Sequence, residues 1–140
     1  MLFRSDRFIV ILGDNIFEDS LVPYVNRFRE DEGARLLLKE VDSPNRFGVA
    51  ELDGDKIISI EEKPSEPKSN LAVTGIYMYD KTVFDYVNQC EYSKRGELEI
   101  TDVNNFFIRD GRCKFDRFTG WWTDAGTFDS LHHANLLLAK

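Results

Sequence analysis

Phe8-Ile9-Val10-Ile11-Leu12 runs without a polar residue into Gly13-Asp14-Asn15. An apolar run this short, with two Ile and a Val, reads as a strand buried on both faces, as in the middle of an α/β sheet with parallel neighbours. Gly13 releases the backbone, and Asp14 stands just past the carboxyl end of the strand, where open α/β sheets bind ligands. A carboxylate there is a divalent-metal ligand, a partner for a ligand hydroxyl, or the N-cap of the next helix. All three readings stay open at this window. A central strand also needs neighbours on both sides, so either later strands supply both or others precede it.

The 140 residues suffice for one domain, residues 1–140, with a core to which eleven Phe contribute. A net charge of -7 argues against wrapping nucleic acid or an anionic membrane, which need a basic face. No apolar run approaches the length of a membrane span, and Arg4, Asp6 and Arg7 fall where a signal peptide would be apolar. Cys90 and Cys113 are isolated and lack metal-type spacing, which suits reduced thiols in a cytoplasmic protein.

The remaining elements follow from periodicity and punctuation. A helix is expected over 21–32, entered through Asp19-Ser20 and stopped by Gly33, then a strand over 34–41, which makes a βαβ unit. Alternating runs at 47–52 and 56–63 flank Asp53-Gly54-Asp55 and predict a β-hairpin. A strand over 72–79 carries Gly75 inside it, marking either a bulge or the close approach of a ligand or backbone. Asp80 caps a helix to about residue 88. Further helices are expected over 100–110 and 128–139, with a short strand over 114–118 between them.

Two carboxylates stand out by position. Asp14 and Asp124 are both expected at strand-to-helix turns, where together they could hold one Mg²⁺, an ion that favours one or two carboxylates plus phosphate oxygens and water. The alternative is two helix caps. Glu61-Glu62-Lys63-Pro64 ends a strand: Lys63 is a candidate point charge for a phosphate and Glu62 a candidate acceptor for sugar hydroxyls, unless the group is simply a solvated face. Arg95, beside Gly96, is free to reach a phosphate, while Thr101 or Glu99 is placed to cap the following helix. His132 and His133 are adjacent on a helix, point about 100° apart and cannot share a metal. There is no Gly-rich phosphate loop.

Six stretches, in order, resemble the sugar-1-phosphate nucleotidylyltransferases, in particular the glucose-1-phosphate thymidylyltransferases. They are Gly13-Asp14-Asn15 with its strand, Arg46-Phe47-Gly48, Glu61-Glu62-Lys63-Pro64, Val73-Thr74-Gly75-Ile76-Tyr77, Arg95-Gly96-Glu97-Leu98-Glu99-Ile100-Thr101-Asp102, and Gly120-Trp121-Trp122-Thr123-Asp124-Ala125-Gly126-Thr127. The resemblance implies a partial Rossmann-like, GT-A-like mixed sheet flanked by helices. It also implies transfer of a thymidylyl group from dTTP to glucose 1-phosphate, releasing pyrophosphate, with Mg²⁺ as cofactor. It makes Asp14 and Asp124 the metal ligands, and Lys63 and Arg95 the catalytic cations that grip the sugar phosphate. Glu62, Gly48 and Gly75 fall in the sugar pocket, with Val73 and Tyr77 lining it.

The family's opening Gly-Gly-x-Gly-x-Arg-Leu-x-Pro loop has no counterpart here. The chain is therefore expected to be a carboxyl-terminal part, to lack the amino-terminal nucleotide-binding strands, to be inactive alone, and to self-associate through an exposed sheet edge. Two other readings remain: a uridylyl, cytidylyl or adenylyl relative, and a non-catalytic sugar-phosphate-binding module.

Overall fold

The computed structural model describes residues 7–90 and 99–139. Strand β1 (Arg7–Ile11) is followed by a short β2 (Asn15–Phe17), helix α1 (Val22–Phe28) and β3 (Ala34–Glu40). A 3₁₀ turn (Pro44–Arg46) leads to β4 (Gly48–Asp53), β5 (Lys56–Glu62) and the long β6 (Leu71–Asp80). Helices α2 (Val83–Gln89) and α3 (Ile100–Arg109), strands β7 (Cys113–Arg117) and β8 (Trp122–Asp124), and helix α4 (Phe128–Leu138) complete the order.

The main sheet runs β5-β4-β6-β3-β7, with β1 also paired to β6. Among the described residues only β3 and β7 are parallel neighbours; β1, β3 and β4 all run antiparallel to β6. Strands β1 and β3 therefore point the same way with β6 between them, so the expected strand-helix-strand unit exists with an intervening strand. The β4–β5 hairpin forms as expected, closing at Asp53 opposite Lys56.

Side chains alternate across this sheet and feed two cores. On one face Leu36 and Leu38 of β3 and Tyr77 and Tyr79 of β6 pack with Val83 and Tyr86 of α2 and Val103 and Phe107 of α3. On the other, Leu37, Ile76 and Met78 pack with Tyr24 and Phe28 of α1, and with Phe118 and Trp122. The Tyr79 hydroxyl donates to Asn104 Oδ1 at 2.6 Å, so its burial leaves no polar atom orphaned.

Strand β1 departs from expectation. Among the described residues its one partner is β6, to which it runs antiparallel: Phe8 and Val10 pack on the first core, whereas Ile9, Ile11 and Leu12 are 38%, 48% and 43% exposed. The apolar run suits two buried faces, but the described residues cover only one. Helix α1 is also shorter than expected. It ends at Phe28 because the chain turns there to bring Asp31 under Arg35, whose Nε donates to Asp31 Oδ2 at 2.6 Å. Lys114 Nζ reaches Asp31 Oδ1 at 3.0 Å, and Arg35 Nη1 reaches Asp116 Oδ2 at 2.8 Å. Among the described residues no helix is long and apolar enough to cross a membrane. Cys90 and Cys113 form no disulfide, and burial pushes the Cys113 thiol up to about 12.

Burial pushes the Asp31 carboxyl upward, but hydrogen bonds and charge from Arg35 and Lys114 outweigh it and hold it below the ordinary value. A carboxyl with a lowered folded-state pKa contributes stability that is present above its unfolded pKa and lost as pH falls through the folded one. Asp31→Asn is therefore expected to cost about 3 kcal/mol at neutral pH. In urea denaturation the difference from the wild type should shrink below about pH 3. A difference independent of pH would contradict this assignment.

Candidate active site

Strand β6 gives one edge to β3 along residues 71–73 and 77–79 and shares the other: Ala72 faces β4, and Ile76 to Asp80 face β1. Between those partners the edge is open, and the chain diverges on either side of it. A cavity of about 570 Å³ opens at this fork.

Eight residues singled out from the sequence line this one cavity: Asp14, Gly48, Glu62, Lys63, Val73, Gly75, Tyr77 and Asp124. Arg95 lies outside the described residues. Sequence reasoning assigned no site role to Asn15, Arg46, Thr101 or Trp122, which line the cavity with them.

Asn15 ties the fork together. Its Oδ1 accepts from the Gly75 backbone N–H at 2.8 Å and from Trp122 Nε1 at 2.7 Å, while its Nδ2 donates to Asp14 Oδ1 at 3.0 Å. The Gly75 carbonyl accepts from the Leu12 N–H at 2.8 Å. Of the two readings of Gly75, the bulge is the one seen, and what approaches it is a side chain rather than a ligand. The β3–β6 register shifts beside it, and a neighbouring side chain approaches so closely that a Cβ there would lie 2.5 Å from Asn15 Nδ2.

The same asparagine sets the carboxylates. Strand β2 pairs with β8 so that Asn15 faces Asp124, and the Ala125 N–H donates to the Asp14 carbonyl. A first side-chain carbon at Gly126 would lie 3.0 Å from Asp14 Oδ2 and 3.5 Å from Asp124 Oδ2. The two oxygens are therefore no farther apart than the sum of those distances, at the mouth of one cavity. Neither is a helix cap: α1 starts beyond Leu21, and α4 is capped by Thr127, whose Oγ1 accepts from the Ser130 N–H. That removes the capping alternative for both, and Asp14 sits in a strand-to-strand turn rather than before a helix.

Two carboxylates with room for phosphate and water suit a hard divalent cation such as Mg²⁺, which binds to few protein ligands. Among the described residues no group of three or more His, Cys, Asp or Glu is placed to hold a metal. Asp124 already has a cationic neighbour: Arg46 Nη2 lies 3.4 Å from Oδ1 and 3.3 Å from Oδ2.

On the opposite wall, β5 ends at Glu62, and Lys63 takes a left-handed conformation with φ 45°. That conformation costs a non-glycine residue about 1 kcal/mol. It lets consecutive side chains line the same cavity, which a continuing strand would forbid. Thr101 does not cap α3 as expected, and neither does the Glu99 side chain. Instead the Thr101 hydroxyl donates to Glu62 Oε2 at 2.6 Å. Gly48 makes room for that contact, since a Cβ there would lie 3.2 Å from the same oxygen. Burial pushes the Tyr77 phenol above its ordinary value, and the charges of Glu62 and Asp14 add to the shift, so Tyr77 stays a neutral donor.

Gly75→Ala should cost about 1–3 kcal/mol, because Asn15 is held by three hydrogen bonds and cannot step aside cheaply. Asn15→Ala should relieve part of that clash, so urea denaturation of the double variant is expected to show less than the summed loss. Strict additivity would mean that the two residues do not meet as described.

The chain matches the family described as Nucleotidyl transferase over residues 1–140. It is 40% identical over 139 residues to the low-salt glycan biosynthesis nucleotidyltransferase Agl11 of Haloferax volcanii, covering 97% of this chain and 39% of that protein. Over 136 residues it is 42% identical to the glucose-1-phosphate thymidylyltransferase of Mycolicibacterium smegmatis, covering 94% of this chain and 47% of that one. A crystal structure of a Bacillus anthracis protein assigned as a glucose-1-phosphate thymidylyltransferase, in complex with a sucrose, superposes with a TM-score of 0.88 at 57% identity, covering 94% of this chain and 54% of that chain. The chain thus spans about half the length, or less, of the relatives it matches, and its mixed sheet flanked by helices is theirs. On its sequence and its fold, the chain belongs to the nucleotidyl transferase family.

Proposed function

We propose that this chain supplies the sugar-phosphate and divalent-cation half of a glucose-1-phosphate thymidylyltransferase. The observation that carries the reading is the convergence of Asp14, Asp124, Glu62 and Lys63 on one cavity of about 570 Å³, a size suited to a small polar ligand. The names of the Mycolicibacterium and Bacillus relatives support glucose 1-phosphate and dTTP as the substrates.

In the reaction a phosphate oxygen of glucose 1-phosphate forms a bond to the α-phosphorus of dTTP, and the bond from that phosphorus to the pyrophosphate oxygen breaks. Such chemistry rests on alignment and charge neutralisation rather than on covalent work by the protein. Lys63 and Arg95 neutralise the sugar phosphate and hold it in line. Glu62, oriented by Thr101, accepts hydrogen bonds from the sugar hydroxyls. Gly48, Gly75 and Val73 line the space for the ring, and Tyr77 offers a neutral phenol. Asp14 and Asp124 would hold Mg²⁺, which when bound supplies positive charge to the phosphate oxygens.

Calorimetry with glucose 1-phosphate tests the cradle directly. Lys63→Ala is expected to weaken binding about tenfold or more, as loss of a charge-assisted hydrogen bond does. Unchanged affinity would remove Lys63 from the site. Base choice is read separately by pyrophosphate release from an intact enzyme that contains this segment, with dTTP expected to outperform UTP. Binding of glucose 1-phosphate with no release by that intact enzyme under any nucleotide would favour the binding-module reading.

A further inference from the structure

We propose that Arg46 is the resident counter-ion of Asp124 and competes with a divalent cation for that carboxylate. The site then takes up its metal well only when a phosphate group draws the guanidinium away. The inference rests on the metal role proposed for Asp14 and Asp124 and goes beyond it, because it assigns Arg46 a coupling role between two ligands.

The geometry is that of an exchangeable pair. Arg46 Nη2 contacts both oxygens of Asp124, at 3.4 and 3.3 Å, whereas the structural pair Arg35–Asp31 closes to 2.6 Å. The Arg46 side chain is 44% exposed, against 10% for Arg35, and besides Asp124 its guanidinium lies over the Phe47 ring, 5.1 Å from the ring centre. Its base is fixed at the end of the 3₁₀ turn, next to Phe47, whose ring packs edge-on against Trp122 at 5.3 Å. Arg46 is thus tethered beside Asp124 yet free to swing toward the cavity that both line.

Charge balance supplies the competition. The described lining residues include three carboxylates, Asp14, Glu62 and Asp124, and two cations, Arg46 and Lys63. A divalent cation added alone meets a guanidinium at one of its two ligands and leaves the cavity with excess positive charge. Added together with a phosphate dianion, it leaves the cavity's net charge as it was, and Arg46 has an anion of its own to go to. Metal and phosphate should therefore bind cooperatively, each tightening the other by the same factor.

Titration with Mn²⁺ at low ionic strength, following the free-ion electron paramagnetic resonance signal, tests this without turnover. Arg46→Gln should bind Mn²⁺ alone about three- to fivefold tighter than the wild type, the range expected from freeing a half-exposed ion pair. Arg46→Lys, which keeps the charge, should stay near the wild type. Glucose 1-phosphate should tighten Mn²⁺ more in the wild type than in Arg46→Gln. If Asp124→Asn weakens Mn²⁺ binding but Arg46→Gln leaves it unchanged or weaker, the counter-ion role is overturned and the metal site stands. If Asp124→Asn has no effect, or no variant binds Mn²⁺, the metal reading itself fails and this inference falls with it.

Discussion

A strand has two edges, and β6 must serve three partners with them. Strand β3 takes one edge except where the register shifts between Val73 and Tyr77, β4 and β1 divide the other, and on that side the backbone between Ala72 and Ile76 belongs to neither. Those peptide groups still need hydrogen bonds. The Gly75 N–H finds Asn15 Oδ1 and its carbonyl finds the Leu12 N–H. Satisfying that gap brings Asn15 against β6, which seats Asp14 beside it and lets β2 pair with β8. Asp124 arrives at the end of that pairing. The cavity is a consequence of how one strand changes partners.

Ion pairs in this chain divide by burial and length. Around Arg35, contacts of 2.6 and 2.8 Å to carboxylates that are 3% and 16% exposed tie α1, β3 and β7 together. Breaking such a pair strands a buried charge, so it acts as structure. Around Arg46 the contacts are longer and the guanidinium faces water. Such a pair is weak by itself, which is a merit where a carboxylate must change partners. Both lie on turns or strand ends near the same sheet.

Much of the frame was legible because local signals agreed with tertiary ones. The β4–β5 hairpin followed from alternation around Asp53-Gly54-Asp55, and α3 from the core spacing of Val103 and Phe107 up to Gly111. The apolar run of β1 reports a demand for burial on both faces but not the direction of its partner, which is antiparallel among the described residues. Strands β2 and β8 have three residues each, too few for any periodicity to show. Helix α1 was overextended because the pull of Arg35 on Asp31 is tertiary. At the site, chain turns flagged Asp14, Lys63 and Asp124. Asn15, Arg46 and Thr101 were invisible as site residues, because their roles depend on partners 39 to 107 positions away in sequence.

The central proposal is that Asp14 and Asp124 share one divalent cation beside a sugar-phosphate cradle. The most direct measurement is anomalous diffraction at the manganese edge from crystals grown with Mn²⁺ and glucose 1-phosphate. The account predicts a single strong peak within about 2.0–2.3 Å of an oxygen from each aspartate, with the phosphate next to it and Arg46 turned away from Asp124. A peak bound elsewhere, or to only one of these carboxylates with the other still paired to Arg46, would contradict it.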